Sequence, residues 1–182
     1  MVPLCEYATV PETATLLDAV KALSEAQAAF GESRCRHRAI LVFDGNKHFV
    51  GKLSQHDVIE ALEPNYKAMA SSGNQGSMHR LGFGGGFVKS TLEQYHLWEK
   101  ALENLCKRSI HVKVKTIMYA PGKDEFVKEH TTMDEAIHRM IIGRHHSLLV
   151  TADRDASKIV GVLRLVDVFK LVSDAMHECE LA

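Results

Sequence analysis

Apolar positions along the chain change their spacing in a set order, and that order occurs twice. Leu16, Val20, Leu23 and Phe30 fall mostly on one face at the 3.6-residue period of a half-buried helix. Thr15 stands one residue before this run, with Asp18 in the first turn, the residue types that cap a helix start. The apolar run Ala39-Ile40-Leu41-Val42-Phe43 then predicts a buried strand, entered through His37 and Arg38. Asp44-Gly45-Asn46 is a hairpin signal. Phe49-Val50-Gly51-Lys52-Leu53-Ser54 predicts the returning strand, and Val58 to Leu62 a closing helix.

The second copy opens with Thr132 ahead of Met133, Ile137, Met140 and Ile141. His145-His146 lead into the strand Ser147-Leu148-Leu149-Val150-Thr151. The turn Asp153 to Ser157 follows, then Ile159-Val160-Gly161-Val162-Leu163-Arg164 and a helix through Val168 to Val172. Gly51 and Asp57 have the same separation as Gly161 and Asp167. The copies differ where loops tolerate it: Phe30 to Arg34 is extra in the first, and the hairpin turn is longer in the second. The chain therefore divides into a motif over 1–63, an insert over 64–111 and a second motif over 112–182.

The insert does not fit the repeat. Ala70 to Ser77 is rich in turn residues and reads as mobile. Gly82-Phe83-Gly84-Gly85-Gly86 lacks the Gly-Lys-Ser/Thr ending of a phosphate loop and reads as a hinge. Thr91 to Arg108 reads as one helix, with Leu92, Tyr95, Leu102 and Leu105 as its apolar stripe and Trp98 nearby. It is expected to pack on the module and bridge the motifs; the sharper alternative is partner recognition through Trp98 and Tyr95.

Composition narrows the function. In 182 residues, 22 Lys and Arg nearly balance 23 Asp and Glu, so there is no basic excess for nucleic acid or a membrane surface. No stretch reaches the roughly 20 apolar residues of a membrane span. The four cysteines are scattered, without metal-ligand spacing. With no secretion signal in view, free thiols and a cytoplasmic location are expected. The 11 histidines make the net charge sensitive to mild acid.

A helix, a hairpin and a Gly-apolar-x-Ser/Thr-x-x-Asp stretch opening a second helix, in tandem, resemble a pair of CBS domains. Val112-Lys113-Val114-Lys115-Thr116-Ile117-Met118 is similar to the lead-in that precedes many such motifs. The first copy shows no such lead-in and opens on Tyr7-Ala8-Thr9-Val10-Pro11. The resemblance implies a mixed α/β (α+β) fold of two pseudo-symmetric β-α-β-β-α motifs packed through their sheets. It also implies a cleft for AMP, ADP, ATP or another adenosyl ligand such as S-adenosylmethionine, and a flat homodimer.

By the same resemblance, Asp57 and Asp167 accept the ribose hydroxyls, a task that suits an acceptor-only carboxylate. Each can equally be a plain helix cap. Ser54 matches the family's phosphate-facing position; Arg164 in the second copy departs from it, as a phosphate fork, a plug or an acid's partner. The two sites are thus expected to be unequal, with Ser54 and Asp57 favoured. His37, Arg38, His145, His146 and His56 are candidate phosphate neighbours, or solvated residues at strand and helix starts. Val10-Pro11 and Tyr119-Ala120-Pro121 are candidates for the base slot, or simple core.

No nucleophile elbow, Ser-His-Asp or Cys-His ordering or HExxH motif appears, so no catalytic residue and no enzyme activity are expected. No metal site and no required cofactor are expected either. The leading reading is a regulatory module whose nucleotide signals to a partner protein on another chain. A ligand-free interaction module is the alternative, and a metal-responsive one, using His37, His145 and His146, comes third.

Overall fold

A computed structural model of the protein describes residues 1–29, 38–66, 85–155 and 157–180. Phe30 to Arg34, Cys35, His37, the stretch Ala70 to Ser77 and Gly82 to Gly84 lie outside the described residues.

Motif 1 comprises β2 (Thr9–Pro11), α1 (Leu16–Ala29), β3 (Ala39–Phe43), β4 (Phe49–Ser54) and α2 (Gln55–Leu62). Motif 2 repeats it as β5 (Phe126–Lys128), α5 (Met133–Gly143), β6 (Ser147–Thr151), β7 (Ile159–Arg164) and α6 (Leu165–Glu180). Strand β1 (Val2–Pro3) precedes motif 1; α3 (Gly85–Gln94) and α4 (Leu102–Ser109) belong to the insert. In each motif the first strand pairs parallel with the second, which pairs antiparallel with the third.

Each sheet buries one face under its own helices. In motif 1, Val10, Ile40, Val42 and Leu53 meet Leu16, Ala19 and Leu23 of α1. In motif 2, Val127, Leu148, Val150 and Leu163 meet Ala136, Met140 and Val168. The two sheets pack on each other through Leu41, Leu149, Ile159 and Val162, joined by Val2 and Tyr7. The rings of Phe43, Phe49 and Phe126 adjoin this layer edge to face at 6.0 and 6.1 Å. The expected α/β architecture of two motifs joined through their sheets is what the chain adopts.

Three expectations are corrected. Val20 of α1 is turned outward, because the buried stripe runs Leu16-Ala19-Leu23 and leaves Leu17 and Val20 on the next face. In α5 the buried pair is Ala136 and Met140, while Met133 and Ile141 are exposed. The predicted helix over 91–108 is two helices, broken at His96 and Trp98, whose φ values of 53° and 58° are left-handed. The break turns the Trp98 indole N–H onto the Tyr66 hydroxyl at 2.8 Å and its backbone N–H onto buried Glu63 at 3.2 Å. Trp98 thus ties the insert to the end of α2, and Ser109 and Leu105 of α4 are buried there too.

A further correction concerns the lead-in. Met1-Val2 stands in register with Met118-Tyr119, and the common register continues through Val10 and Val127 to the caps Thr15 and Thr132. The lead-ins are exchanged between motifs. Strand β1 pairs antiparallel with β7, giving the sheet order β1-β7-β6-β5. Tyr119 makes the matching bridge to Lys52 of β4, through N–H···O bonds of 2.8 and 2.9 Å. The approach explains Gly51 and Gly161: a Cβ on either would stand 2.9 Å from Tyr119 O or 2.7 Å from Val2 O.

Candidate functional site

Two related half-sites lie where the third strand of each motif runs into its last helix. In motif 1, β4 ends at Ser54, which caps α2. Its N–H and its Oγ–H each donate to Asp57 Oδ2 at 2.7 Å, and Asp57 N–H returns a bond to Ser54 Oγ at 3.2 Å. This capping box satisfies the orphan donors of the helix start. The carboxylate's hydrogen bonds all fall on Oδ2; among the described residues Oδ1 accepts none.

Lys52 lies two residues before Ser54, on the same face of β4. Its amine pairs with Glu125 of the segment leading into β5 and stands 5.2 Å from the Tyr119 ring centre. Glu125 is 2% exposed and also accepts from Gly122 N–H at 3.2 Å and from the Tyr119 hydroxyl. Burial alone would raise the Glu125 carboxyl. The Lys52 and Tyr119 bonds outweigh it and hold the group below its ordinary value. The same bond to Glu125 raises the Tyr119 phenol. The half-site of motif 1 is therefore completed by motif 2.

In motif 2 the corresponding carboxylate is fully engaged. Arg164, 7% exposed, donates from Nε to Asp167 Oδ2 at 2.6 Å and from Nη2 to Asp167 Oδ1 at 2.5 Å. The planar fork closes both oxygens at once. Tyr7 is buried beside them; burial pushes its phenol up to about 12, and Arg164 and Asp167 act on it in opposite senses. Val162, Val2 and Ala8 occupy the register positions of Lys52, Tyr119 and Glu125; Val162 and Val2 pack together between the sheets, while Ala8 packs in the helix-side core of motif 1.

The sequence-derived candidates are thus only partly gathered. Ser54, Asp57 and exposed His56 share the first turn of α2, where Arg38 O accepts from Gln55 N–H at 3.0 Å. Arg164, Asp167 and His146 share the start of α6, His146 O accepting from Leu165 N–H at 2.9 Å. Val10 and Pro11 do not join them. Val10 sits in the helix-side core of motif 1, and β2 is separated from β4 by β3. Tyr119 serves the Asp57 half and not the second copy's own aspartate, because the lead-ins cross over. His145 is bonded to Asp124 at 2.8 Å. Donor atoms of His56, Asp57 and Glu60 lie within 4.8 Å of one another, but the positive end of the α2 dipole opposes a cation there.

Lys52, Glu125 and Tyr7 were missed. Lys52 left a readable signal: it is the one charged residue in a strand whose counterpart reads Ile-Val-Gly-Val-Leu. Glu125 left none, since its register with Ala8 shows only when the lead-ins are aligned in space.

No curated protein is significantly similar to the chain in sequence. Solved structures share its fold. A CBS domain-containing protein of unknown function from Bacillus anthracis is 16% identical, with a TM-score of 0.60 over 96% of this chain and 89% of that one. CBSX2, solved in complex with AMP, is 15% identical, with a TM-score of 0.56 over 97% of this chain and 94% of that one. The cytosolic domain of the Mg2+ channel MgtE, in complex with ATP, is 18% identical, with a TM-score of 0.53 over 91% of this chain and 45% of that one. The CBS domain family matches residues 2–64 and 114–174, the two motifs that the fold exchanges lead-ins between. The chain belongs to the CBS domain family, as a tandem pair of its motifs.

Proposed function

We propose that the chain is a non-enzymatic regulatory module that binds an adenine nucleotide at the Ser54–Asp57 half of the cleft and signals its presence to a partner protein. The observation that carries this reading is the difference between the two aspartates. Asp57 keeps Oδ1 for an incoming hydroxyl, while both oxygens of Asp167 are held by Arg164. The neighbours solved with AMP and with ATP support the ligand class. Tyr119 and Lys52 reach this half from both motifs, so a ligand there touches the joint between them. A ligand shifts that joint only by its differential affinity for two arrangements.

Homodimerisation belongs to the same proposal. Ile141, Ile142, Phe169, Val172 and Met176 on α5 and α6 are large apolar side chains left in solvent, 39% to 73% exposed. Among the described residues no helix is long and apolar enough to cross a membrane.

The test is calorimetric titration with AMP, ADP, ATP and S-adenosylmethionine. One saturable site is expected, weakened at least about tenfold in Asp57→Ala and little changed in Asp167→Ala. Arg164→Ser frees Asp167 and is expected to raise the stoichiometry toward two. A second reading, a ligand-free interaction module, draws on the Ser54–Asp57 box and the Arg164–Asp167 fork, each satisfied without a ligand. No heat from any ligand with the fold intact would select it.

A further inference from the structure

The last helices of the two motifs stand in register, Ile59 with Phe169, Leu62 with Val172 and, beyond the end of α2, Tyr66 with Met176. On motif 1 the helix stops at Leu62. Glu63 is buried there and accepts from Asn65 N–H at 3.3 Å and Trp98 N–H at 3.2 Å. The insert covers the corner. The Tyr66 and Trp98 rings meet edge to face at 6.3 Å, Leu105 of α4 is buried, and Ser109 Oγ–H donates to Ala61 O at 3.4 Å. Of Ile59, Leu62 and Tyr66, only Ile59 is left exposed.

On motif 2 the helix runs on. α6 has 16 residues and ends at Glu180. Leu165, Phe169, Val172, Met176 and Cys179 follow one another at spacings of four and three, the heptad seam of a helix that packs along another helix. The four apolar members are 39% to 69% exposed, and Cys179 is exposed as well. Among the described residues Val168 is the one member of α6 in the core of motif 2. The seam lies about 60° round the helix from Val168, so the motif's own packing does not use it. Its titratable side chains sit elsewhere: Asp167, Lys170, Asp174, His177 and Glu178 fall on the opposite side. Between Leu165 and Cys179 the flanking residues Val168, Ser173 and Ala175 carry no charge.

A two-fold contact needs a surface complementary to itself. The seam meets that need. It is apolar along its length and neutral at its borders, so a second copy laid on it brings no like charges together. The fold also shows what covers this corner when it is covered: on motif 1 it is a helix and an aromatic anchor, α4 and Trp98. We propose that two copies of the chain pair through motif 2 alone, α6 against α6, while the insert keeps motif 1 out of the contact by occupying the matching corner itself. The pair is thus joined at one end and is not the flat homodimer that the sequence resemblance implies. This pairing rests on the homodimerisation proposed above and needs no nucleotide.

The test is sedimentation velocity of the full chain over a wide range of concentration, without nucleotide. It compares wild type, Phe169→Glu with Met176→Glu, and Ile59→Glu. All three positions are exposed, and circular dichroism checks that each variant keeps its fold. Wild type is expected to form a concentration-dependent dimer. The double variant sets like charges together in the seam and should weaken that dimer at least about tenfold, while Ile59→Glu leaves it unchanged. Phe169→Ser with Met176→Ser, which adds no charge, should weaken it in the same sense. A dimer that survives the double glutamate variant, or that Ile59→Glu weakens equally, overturns this pairing and leaves homodimerisation standing. A wild type that stays monomeric at every concentration overturns both and assigns the seam to a different chain.

Discussion

Motif 1 and motif 2 share one backbone plan, yet equivalent positions in them live in different surroundings. Leu16 is covered by the strap that joins the motifs, while Met133 is left open. Lys52 pairs with buried Glu125 beside the Tyr119 ring, where the register counterparts Val162, Val2 and Ala8 are buried apolar residues. Among the described residues Asp57 Oδ1 accepts no hydrogen bond, whereas both oxygens of Asp167 accept from Arg164. The repeat thus fixes the frame, and the proposed function rests on where the copies stop agreeing. A symmetric pair would hold its two aspartates alike; in this chain Asp57 is held by its own helix cap and Asp167 by Arg164.

The largest test of the comparison is Lys52→Met. It strands the 2%-exposed Glu125 carboxylate without its cation, a loss of about 3–5 kcal/mol by urea unfolding. Lys52→Val with Glu125→Ala installs the residues found at the register positions, Val162 and Ala8, and should return most of that loss; a double variant no more stable than the single one would mean the ion pair does more than neutralise itself. The pH dependence has a definite sign. Glu125 is held below its ordinary 4.5, so its contribution is full above that value and fades as pH falls through the lowered one. The gap between wild type and Lys52→Met should therefore narrow in acid.

Next in size is the pair Leu16→Ala and Met133→Ala. Leu16 is 3% exposed and its truncation should cost about 2–5 kcal/mol; Met133 is 45% exposed and should cost less than about 1 kcal/mol. Equal losses would show that Met133 is covered in solution. The smallest contrast lies in the helix caps. Thr15 forms a full reciprocal box with Asp18, at 2.7 to 3.2 Å, whereas Thr132 Oγ1 accepts from Glu135 N–H only at 3.5 Å. Thr15→Ala should cost about 1 kcal/mol and Thr132→Ala about half of that, read as shifts in the urea midpoint.

The chain's own periodicities determined the frame. Strands of unbroken apolar residues, helices with a 3.6-residue stripe, the Asp-Gly turn and the Gly-to-Asp spacing are local signals, set by backbone geometry and by which face must leave water. They were enough to place both motifs, the starts of both last helices and the four residues Ser54, Asp57, Arg164 and Asp167. The outward turn of Val20 and the break at Trp98 were not legible, because period alone does not say which neighbouring stripe a partner will cover or where Glu63 and Tyr66 will draw the chain.

Tertiary structure alone decided the exchange of lead-ins. Val2 and Tyr119 each bind the other motif's strand, since those strand edges offer unpaired backbone groups and a glycine that lets a second chain approach. That crossing moved Tyr119 to the Asp57 half, set Glu125 against Lys52 and left Val10 in the core. It also laid Val112 to Ile117 over motif 1, while among the described residues no segment covers Met133 in the same way. None of these contacts joins residues near in sequence, so no local pattern could carry them; the fold makes them by bringing distant segments to one edge.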